Sequence, residues 1–421
     1  MQKIVFNWIT VALFAATFSA CAIYRANGEA GSPPESFTLE FRGNPQKKKS
    51  IFVFLDGTAN DTASGTNVWR LYRLIHNAAD PQVAAKYIQG VGTVENTEFH
   101  SSWFFGLVFG QGMERRIKTG YDFLVKNYAP GDDIFIFGFS RGAHEARSLA
   151  GFLAYVGIPV RTAATEGFGH REWNQILEIT KKKRDVDYAS FWGGWVPGTP
   201  PPLADEAGRK LGEKFQPIQV TMLGVWDTVP GSSFKKFGTC KELPDGKGGD
   251  RYKLDSYPPI RLIAHAVAID EKRNKYRPIL LCPAVHPLDE SLKPKLIEKW
   301  FPGAHADVGG GYSDGDNALA NISFNWMVDI LAQNYVFPSP PSKLPEDANG
   351  LAHWSVGDMK KIPGMRCEDR PVPTEEAKHE SAKLRKGRPP IRVKGRVINF
   401  AYPISCADEK RLYQMPQGNS D

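Results

Sequence analysis

Ser140 stands in Gly138-Phe139-Ser140-Arg141-Gly142, directly after the apolar run at 134–137. A serine hydroxyl is a weak nucleophile until a base takes its proton, and Gly-x-Ser-x-Gly between a strand and a helix raises that hydroxyl on a sharp turn above a sheet. The flanking glycines let strand and helix pass close together. A histidine is the base suited to neutral pH, and an acid must hold its tautomer and stabilise the imidazolium that forms. Two residues supply that chemistry in the chain order serine, acid, histidine. Asp227 ends the apolar stretch VTMLGVW, and His305 lies between Phe-Pro-Gly-Ala and the glycine run that follows Asp307. Ser140, Asp227 and His305 are the candidate nucleophile, acid and base.

Attack on a carbonyl creates an oxyanion that needs donors fixed in advance. The Arg141 amide, next after the nucleophile, is one candidate, and Gly57 or Thr58 in FLDGT is the other. Asp56 beside them is expected to turn aside and accept from the loop amides. Asp307 competes with Asp227 for the role of acid but is expected to shape its own loop. His144, four residues beyond Ser140, and His265, in RLIAHAVA, are expected to pack rather than react.

A divalent metal is the alternative chemistry, since Asp56, Asp227, His305 and Asp307 are oxygen and nitrogen donors. That would make the chain a metal-dependent phosphoester hydrolase. FLDGT also resembles phosphatases whose nucleophile lies two residues before the Asp-Gly-Thr, but Phe54 occupies that place here. A metal site would leave the serine turn unexplained, so neither metal nor cofactor is expected.

The elements that must position these residues can be read from spacing. SIFVFLDGT (50–58), AAKYIQGVG (84–92), DIFIFGF before Ser140 and PIQVTMLGVWDTV (217–229) read as strands. Helices are expected at 67–78, 113–128, 141–157, 261–270 and 317–333, and a short strand at 296 onward leads into the His305 loop. An apolar run covers 277–285. Strands alternating with helices predict an α/β fold, a mostly parallel central sheet with helices on both faces. At 160–217 the pattern breaks into tryptophans, glycines and prolines, which predicts an inserted cap or lid. Trp192 and Trp195 there, with Trp103, Phe104 and Phe105, are candidates for lining an acyl pocket. Residues 336–421 read as a C-terminal extension packed on the domain.

The length of 421 residues and a 42% hydrophobic content suit one large domain with insertions, 50–335. Residues 1–20 have the layout of a secretory signal, and Phe-Ser-Ala-Cys at 18–21 is similar to a bacterial lipobox, with Phe18 in place of the usual Leu. Cleavage there would leave Cys21 lipidated, Ala22 would favour the outer membrane, and residues 21–49 would form a tether. Losing 1–20 lowers the net charge only from +7 to +6, so the body stays basic and suited to an anionic lipid surface. KKKR at 181–184 reads as a solvated face, and no nucleic-acid module accompanies it. Cys240, Cys282, Cys367 and Cys406 have no metal-like spacing, and an exported chain can pair them in any of three ways.

Five blocks, FVFLDGTAN (52–60), GTNVWRL (65–71), GFSRGAHEARSLAG (138–151), GVWDTV (224–229) and FPGAHADVGGGY (301–312), resemble the α/β-hydrolase domain of bacterial type VI secretion phospholipase effectors and their uncharacterised relatives. The resemblance implies lipase or esterase chemistry on glycerophospholipids, with Ser140, Asp227 and His305 matching the family's triad. Those effectors are generally delivered without a signal peptide, so a leader here points to a resident envelope enzyme. The expected partners are a phospholipid or smaller ester and a membrane surface, not nucleic acid, with a regulatory or immunity-like protein left open. A non-catalytic envelope scaffold is the competing class.

Overall fold

The candidate catalytic residues gather at the carboxyl edge of one seven-stranded sheet. The computed structural model describes residues 38–58, 60–90, 105–160, 169–182, 189–229, 256–282, 289–312, 316–357, 365–371 and 373–416. In chain order the strands are β1 (Thr38–Leu39), β2 (Ser50–Leu55), β3 (Val83–Ile88), β4 (Asp133–Phe139), β5 (Ile158–Pro159), β6 (Phe215–Gln216), β7 (Met222–Trp226), β8 (Leu262–Ala268) and β9 (Lys295–Phe301). The helices are α1 (Asn67–Asn77), α2 (Phe105–Asn127), α3 (Arg141–Val156), α4 (His170–Lys182), α5 (Ala189–Gly193), α6 (Ala204–Leu211), α7 (His305–Gly309) and α8 (Ala318–Ala332). The main sheet runs β1-β3-β2-β4-β7-β8-β9, antiparallel only between β1 and β3.

Successive side chains of a strand point to opposite faces, and β2 and β4 use both. Ile51, Val53, Leu55, Ile134 and Ile136 join Tyr121 and Leu124 of α2 and Ala146 and Leu149 of α3 in one cluster. Phe52, Phe54, Phe135 and Phe137 join Val68 and Leu71 of α1 and Met327 and Leu331 of α8 in another. A parallel strand covered on both faces reads as an unbroken apolar run, which is why these strands are legible in the sequence.

From β2 the chain passes to β3 on one side and then to β4 on the other. Strand order therefore reverses between β2 and β4, and a crevice opens at their carboxyl ends. Asp56, Gly57 and Thr58 leave β2 there, and Ser140 leaves β4.

Several expectations are corrected. The expected helix at 261–270 is β8, paired to both β7 and β9. The end of the expected tether is built into the sheet, since Thr38 and Leu39 pair with Lys86 and Ala85. The 160–217 insertion leaves and returns through the β5–β6 ladder, Ile158 opposite Gln216. Its Trp173 packs on Phe152 and Tyr121, and its Trp192 on Tyr155. Phe152 and Tyr155 lie roughly 16–21 Å along α3 from its start. Trp173 and Trp192 of the insertion thus buttress the far end of the elbow helix.

Beyond residue 336 a second small sheet forms from β10 (Ala352–His353), β11 (Pro390–Val393) and β12 (Arg396–Asn399), over a core including Trp354, Val393 and Ile398. Residues 377–379 pair with Trp300, whose amide donates to the Ala377 carbonyl at 2.9 Å, so the edge of β9 is covered. Cys367 is bonded to Cys406. Cys282 is also in a disulfide, and Cys240, Cys21, Trp103 and Phe104 lie outside the described residues. Among the described residues no helix is long and apolar enough to cross a membrane.

Candidate active site

Ser140 sits at φ 60°, ψ −125°, between the end of β4 and the start of α3. A non-glycine residue held at positive φ is costly and persists only where its surroundings fix it. Two close approaches do so. A Cβ on Gly138 would lie 2.4 Å from the Gly142 carbonyl oxygen, and one on Gly142 would lie 2.2 Å from that of Leu55. Only glycine permits α3 to start this near β2. The Ser140 amide then donates to the Trp226 carbonyl at 3.0 Å.

Asp227, next after Trp226, is also at positive φ, 38°. Its amide donates to Ala266 of β8 at 2.7 Å, which turns the completely buried carboxylate along the sheet's carboxyl edge. There Oδ2 accepts from His305 Nδ1 at 2.5 Å, and Oδ1 accepts from the Ala268 amide at 3.0 Å. A carboxylate only accepts, so the imidazole proton is on Nδ1 and Nε2 is left as a lone-pair base. His305 Nε2 is buried and has no hydrogen-bond partner among the described residues. Its ring packs on Phe139, the residue before Ser140, with centroids 4.6 Å apart.

The shell around this pair is not legible in the sequence. Arg370 forks Asp227, Nη1 to Oδ1 at 2.6 Å and Nη2 to Oδ2 at 2.9 Å. Burial alone would raise the Asp227 carboxyl, but the Arg370 guanidinium and His305 hold it well below the usual carboxylate range. Glu271 accepts from the His305 amide at 3.2 Å and from Arg273 Nε at 2.8 Å. Against its burial, Arg273 brings Glu271 down to about 2. His305 itself is lowered, because burial disfavours the imidazolium and Arg273 adds to it, outweighing the pull of Asp227.

Asp307 does shape its loop. Its Oδ2 accepts from the amides of Ala304 at 2.8 Å and His353 at 2.9 Å, and its Oδ1 accepts from His353 Nδ1 at 2.7 Å. Asn67, at the start of α1, donates through Nδ2 to the Val308 carbonyl at 2.9 Å and ties that helix to the same loop.

On the β2 side, Asp56 takes hydrogen bonds from the Thr66 hydroxyl at 2.5 Å, the Tyr87 hydroxyl at 2.6 Å and the Gly57 amide at 2.7 Å. It therefore turns away from the crevice, but most of its partners are hydroxyls rather than loop amides. The Gly57 amide is spent on Asp56 and is withdrawn as an oxyanion donor. Thr58 remains, with its Oγ1 buried and without a partner among the described residues. Arg141 opens α3, where helix geometry gives an amide no intrahelical acceptor. Buried Arg116 braces this corner, donating to the Asp56 carbonyl at 2.7 Å and pairing with Glu145 of α3 at 3.2 Å.

The remaining expectations place simply. His265 is a satisfied core residue, accepting from the Thr228 amide at 3.1 Å and donating from Nδ1 to Glu298 at 2.8 Å. His144 is buried within α3. Trp192 and Trp195 are buried in the first core cluster. Asp56, Asp227 and Asp307 each hold different partners, and no metal-holding group of His, Cys, Asp or Glu gathers among the described residues.

Residues 49–330 match the family model of the T6SS phospholipase effector Tle1-like catalytic domain. The chain belongs to that family. It therefore carries an α/β-hydrolase catalytic domain related to lipid-hydrolysing effectors. The Tle1-like region is also similar to YEL023C, an uncharacterised protein of Saccharomyces cerevisiae, at 24% identity over 276 residues. That match covers 62% of this chain and 36% of the yeast protein. Among solved structures, an uncharacterised Pseudomonas aeruginosa protein matches at 18% identity and a TM-score of 0.36, over 67% of this chain and 45% of that one. The Tle1 effector bound to the VgrG spike matches at 21% identity and 0.28, over 66% and 53%. Ser140, Asp227 and His305 fall inside the matched range; Arg370 and His353 fall beyond it.

Proposed function

We propose that the protein is a serine esterase acting on the carboxylic ester bonds of phospholipids. The observation that carries this reading is His305: Asp227 fixes its Nδ1 proton, and its buried Nε2 has no competing partner among the described residues, beside the strained Ser140 turn. In the proposed cycle Nε2 takes the Ser140 proton as Oγ attacks the acyl carbonyl. The Arg141 and Thr58 amides stabilise the oxyanion. His305 then returns the proton to the departing alcohol, and the acyl-enzyme is released by water activated at the same Nε2. Phospholipid is preferred over smaller esters because the matched family is one of phospholipase effectors. A lipidated Cys21 would hold this chemistry at the envelope surface, facing the periplasm.

The test is fatty-acid release from mixed phospholipid vesicles and from short-chain p-nitrophenyl esters, with chelator present, by the protein and its Ser140→Ala variant. Chelator-resistant, Ser140-dependent release from vesicles supports the proposal. Ester cleavage alone would reassign the substrate to a smaller molecule, and activity abolished by chelator would overturn the serine reading.

A further inference from the structure

Asp227 has no contact with water, and a buried carboxylate must be neutralised or it takes up a proton. Its histidine partner is the triad base, so neutralisation by proton uptake there would remove the base. The molecule solves this with a residue from outside the family's matched range. We infer that Arg370 is a positioning residue of the catalytic centre, a fixed cation that keeps the Asp227 carboxylate charged and aimed at His305 Nδ1. This rests on the proposed Ser140–Asp227–His305 reading and deepens it.

Geometry carries the inference. A bidentate guanidinium–carboxylate fork fixes orientation as well as charge, because both N–H vectors are set by one rigid plane. The Arg370 side chain is 3% exposed and that of Asp227 0%, so solvent screens neither. The same two nitrogens also reach the Ala268 carbonyl at 2.6 Å and the Tyr276 carbonyl at 2.5 Å. Arg370 is thus locked to the end of β8 and to the turn packed on His305, whose ring stands 5.1 Å from that of Tyr276.

Its own backbone is equally held. Residues 366–368 form an antiparallel bridge with 272–274, with the Asn274 amide donating to the Arg366 carbonyl at 3.1 Å and the Glu368 amide to that of Lys272 at 2.8 Å. Lys272 pairs with Asp369 at 3.0 Å, the Cys406 amide donates to Asp369 at 3.2 Å, and Cys367 is covalently tied to Cys406. A single antiparallel bridge, an ion pair and a disulfide therefore converge on the residues just before Arg370.

The charged and titratable groups around His305 are Asp227 from the β7 turn, Glu271, Arg273 and the Tyr276 phenol from the loop after β8, Asp307 on its own helix, and Arg370, which bonds Asp227; Arg141 of α3 neighbours Tyr276. Glu271 is already matched by Arg273. Removing Arg370 leaves Asp227 with His305 as its sole charge partner among these groups. The pair then binds a proton more readily, on either residue, and both outcomes disable the base.

The readout is the rate at which a fluorophosphonate modifies Ser140, followed against pH in the full-length protein, with thermal unfolding as the folding check. Arg370→Gln should slow the reaction on the order of 10- to 100-fold, taking as the measure the cost of losing an outer-shell partner that orients a metal-ligating side chain. It should also move the acid limb of the profile upward. Arg370→Lys, which keeps the charge, should return the limb towards its native position. On an Asp227→Asn background, Arg370→Gln should cost nothing further, because the carboxylate it serves is gone. A folded Arg370→Gln with native rate and limb, or an equal loss on both backgrounds, overturns the inference. If Arg370→Gln does not fold, the Asp227→Asn/Arg370→Gln protein, which leaves no unpaired charge, decides by the same comparison. Modification that persists unchanged in Ser140→Ala would instead sink the triad reading itself.

Discussion

The Ser140 amide donates to the carbonyl of Trp226 at 3.0 Å, and Trp226 is the residue immediately before Asp227. The turn that strains the serine and the turn that strains the aspartate are therefore one hydrogen-bonded unit. The Val229 amide returns to the Ser140 carbonyl at 3.4 Å and closes it. Nucleophile and acid come from adjacent strands, β4 and β7, and their mutual placement depends on no flexible side chain.

Asp227 is bonded to the His305 ring, and Asp307, two residues along the same helix, is bonded elsewhere. Asp227→Asn should lower kcat by about 10⁴-fold, as loss of the tautomer-fixing acid does. Asp307→Asn should leave kcat within about tenfold and lower the melting temperature instead, since Asp307 serves Ala304 and His353. Steady-state kinetics and thermal unfolding of both variants separate the roles; comparable, small effects on kcat would sink the assignment of Asp227.

His305 must be neutral to act as base, and its burial lowers its pKa from the ordinary histidine value. The active form is the deprotonated one, so kcat/KM should hold through neutral pH and fall only when pH drops below that ordinary value. A pH–rate profile of ester hydrolysis checks this, and an acid limb above it would contradict the structure.

Gly142 is where α3 meets β2. Gly142→Ala would drive a methyl to 2.2 Å from the Leu55 carbonyl and 2.4 Å from that of Asp56. We expect a loss of about 4 kcal/mol or more, the range reached when backbone must move to admit a group. Gly193→Ala, with open space around it, should change stability by less than about 0.5 kcal/mol. Denaturant unfolding of the pair is the measurement.

What is legible in the sequence, and what is hidden there, follows from range. β2, β4 and the Ser140 turn are local patterns, an apolar run ending in glycines, and the sequence places them closely. β8 reads as a helix because LIAHAVA is short, alanine-containing and buried on both faces, and periodicity alone does not separate such a strand from a buried helix. Asp227 and His305 stand out as polar residues at the ends of apolar runs. Arg370 does not, because its partner is 143 residues away and its role exists only once residues 366–370 lie beside 272–274. Glu271 and Arg273 are hidden in the same way, as ordinary charges in the loop after a strand that reads as a helix. The seat of Trp173 and Trp192 is hidden for a similar reason: tryptophans signal burial but not which end of α3 they bury.

Covalent labelling tests whether Ser140 is a nucleophile activated by His305, whichever ester the enzyme cleaves. A fluorophosphonate reacts by attack of Oγ on phosphorus with loss of fluoride, and mass spectrometry of the digested protein locates the adduct. One adduct is expected on Ser140, absent in Ser140→Ala and slowed by at least about 10³-fold in His305→Ala. No adduct on Ser140 in the folded protein, or an adduct that forms equally fast without His305, would contradict it.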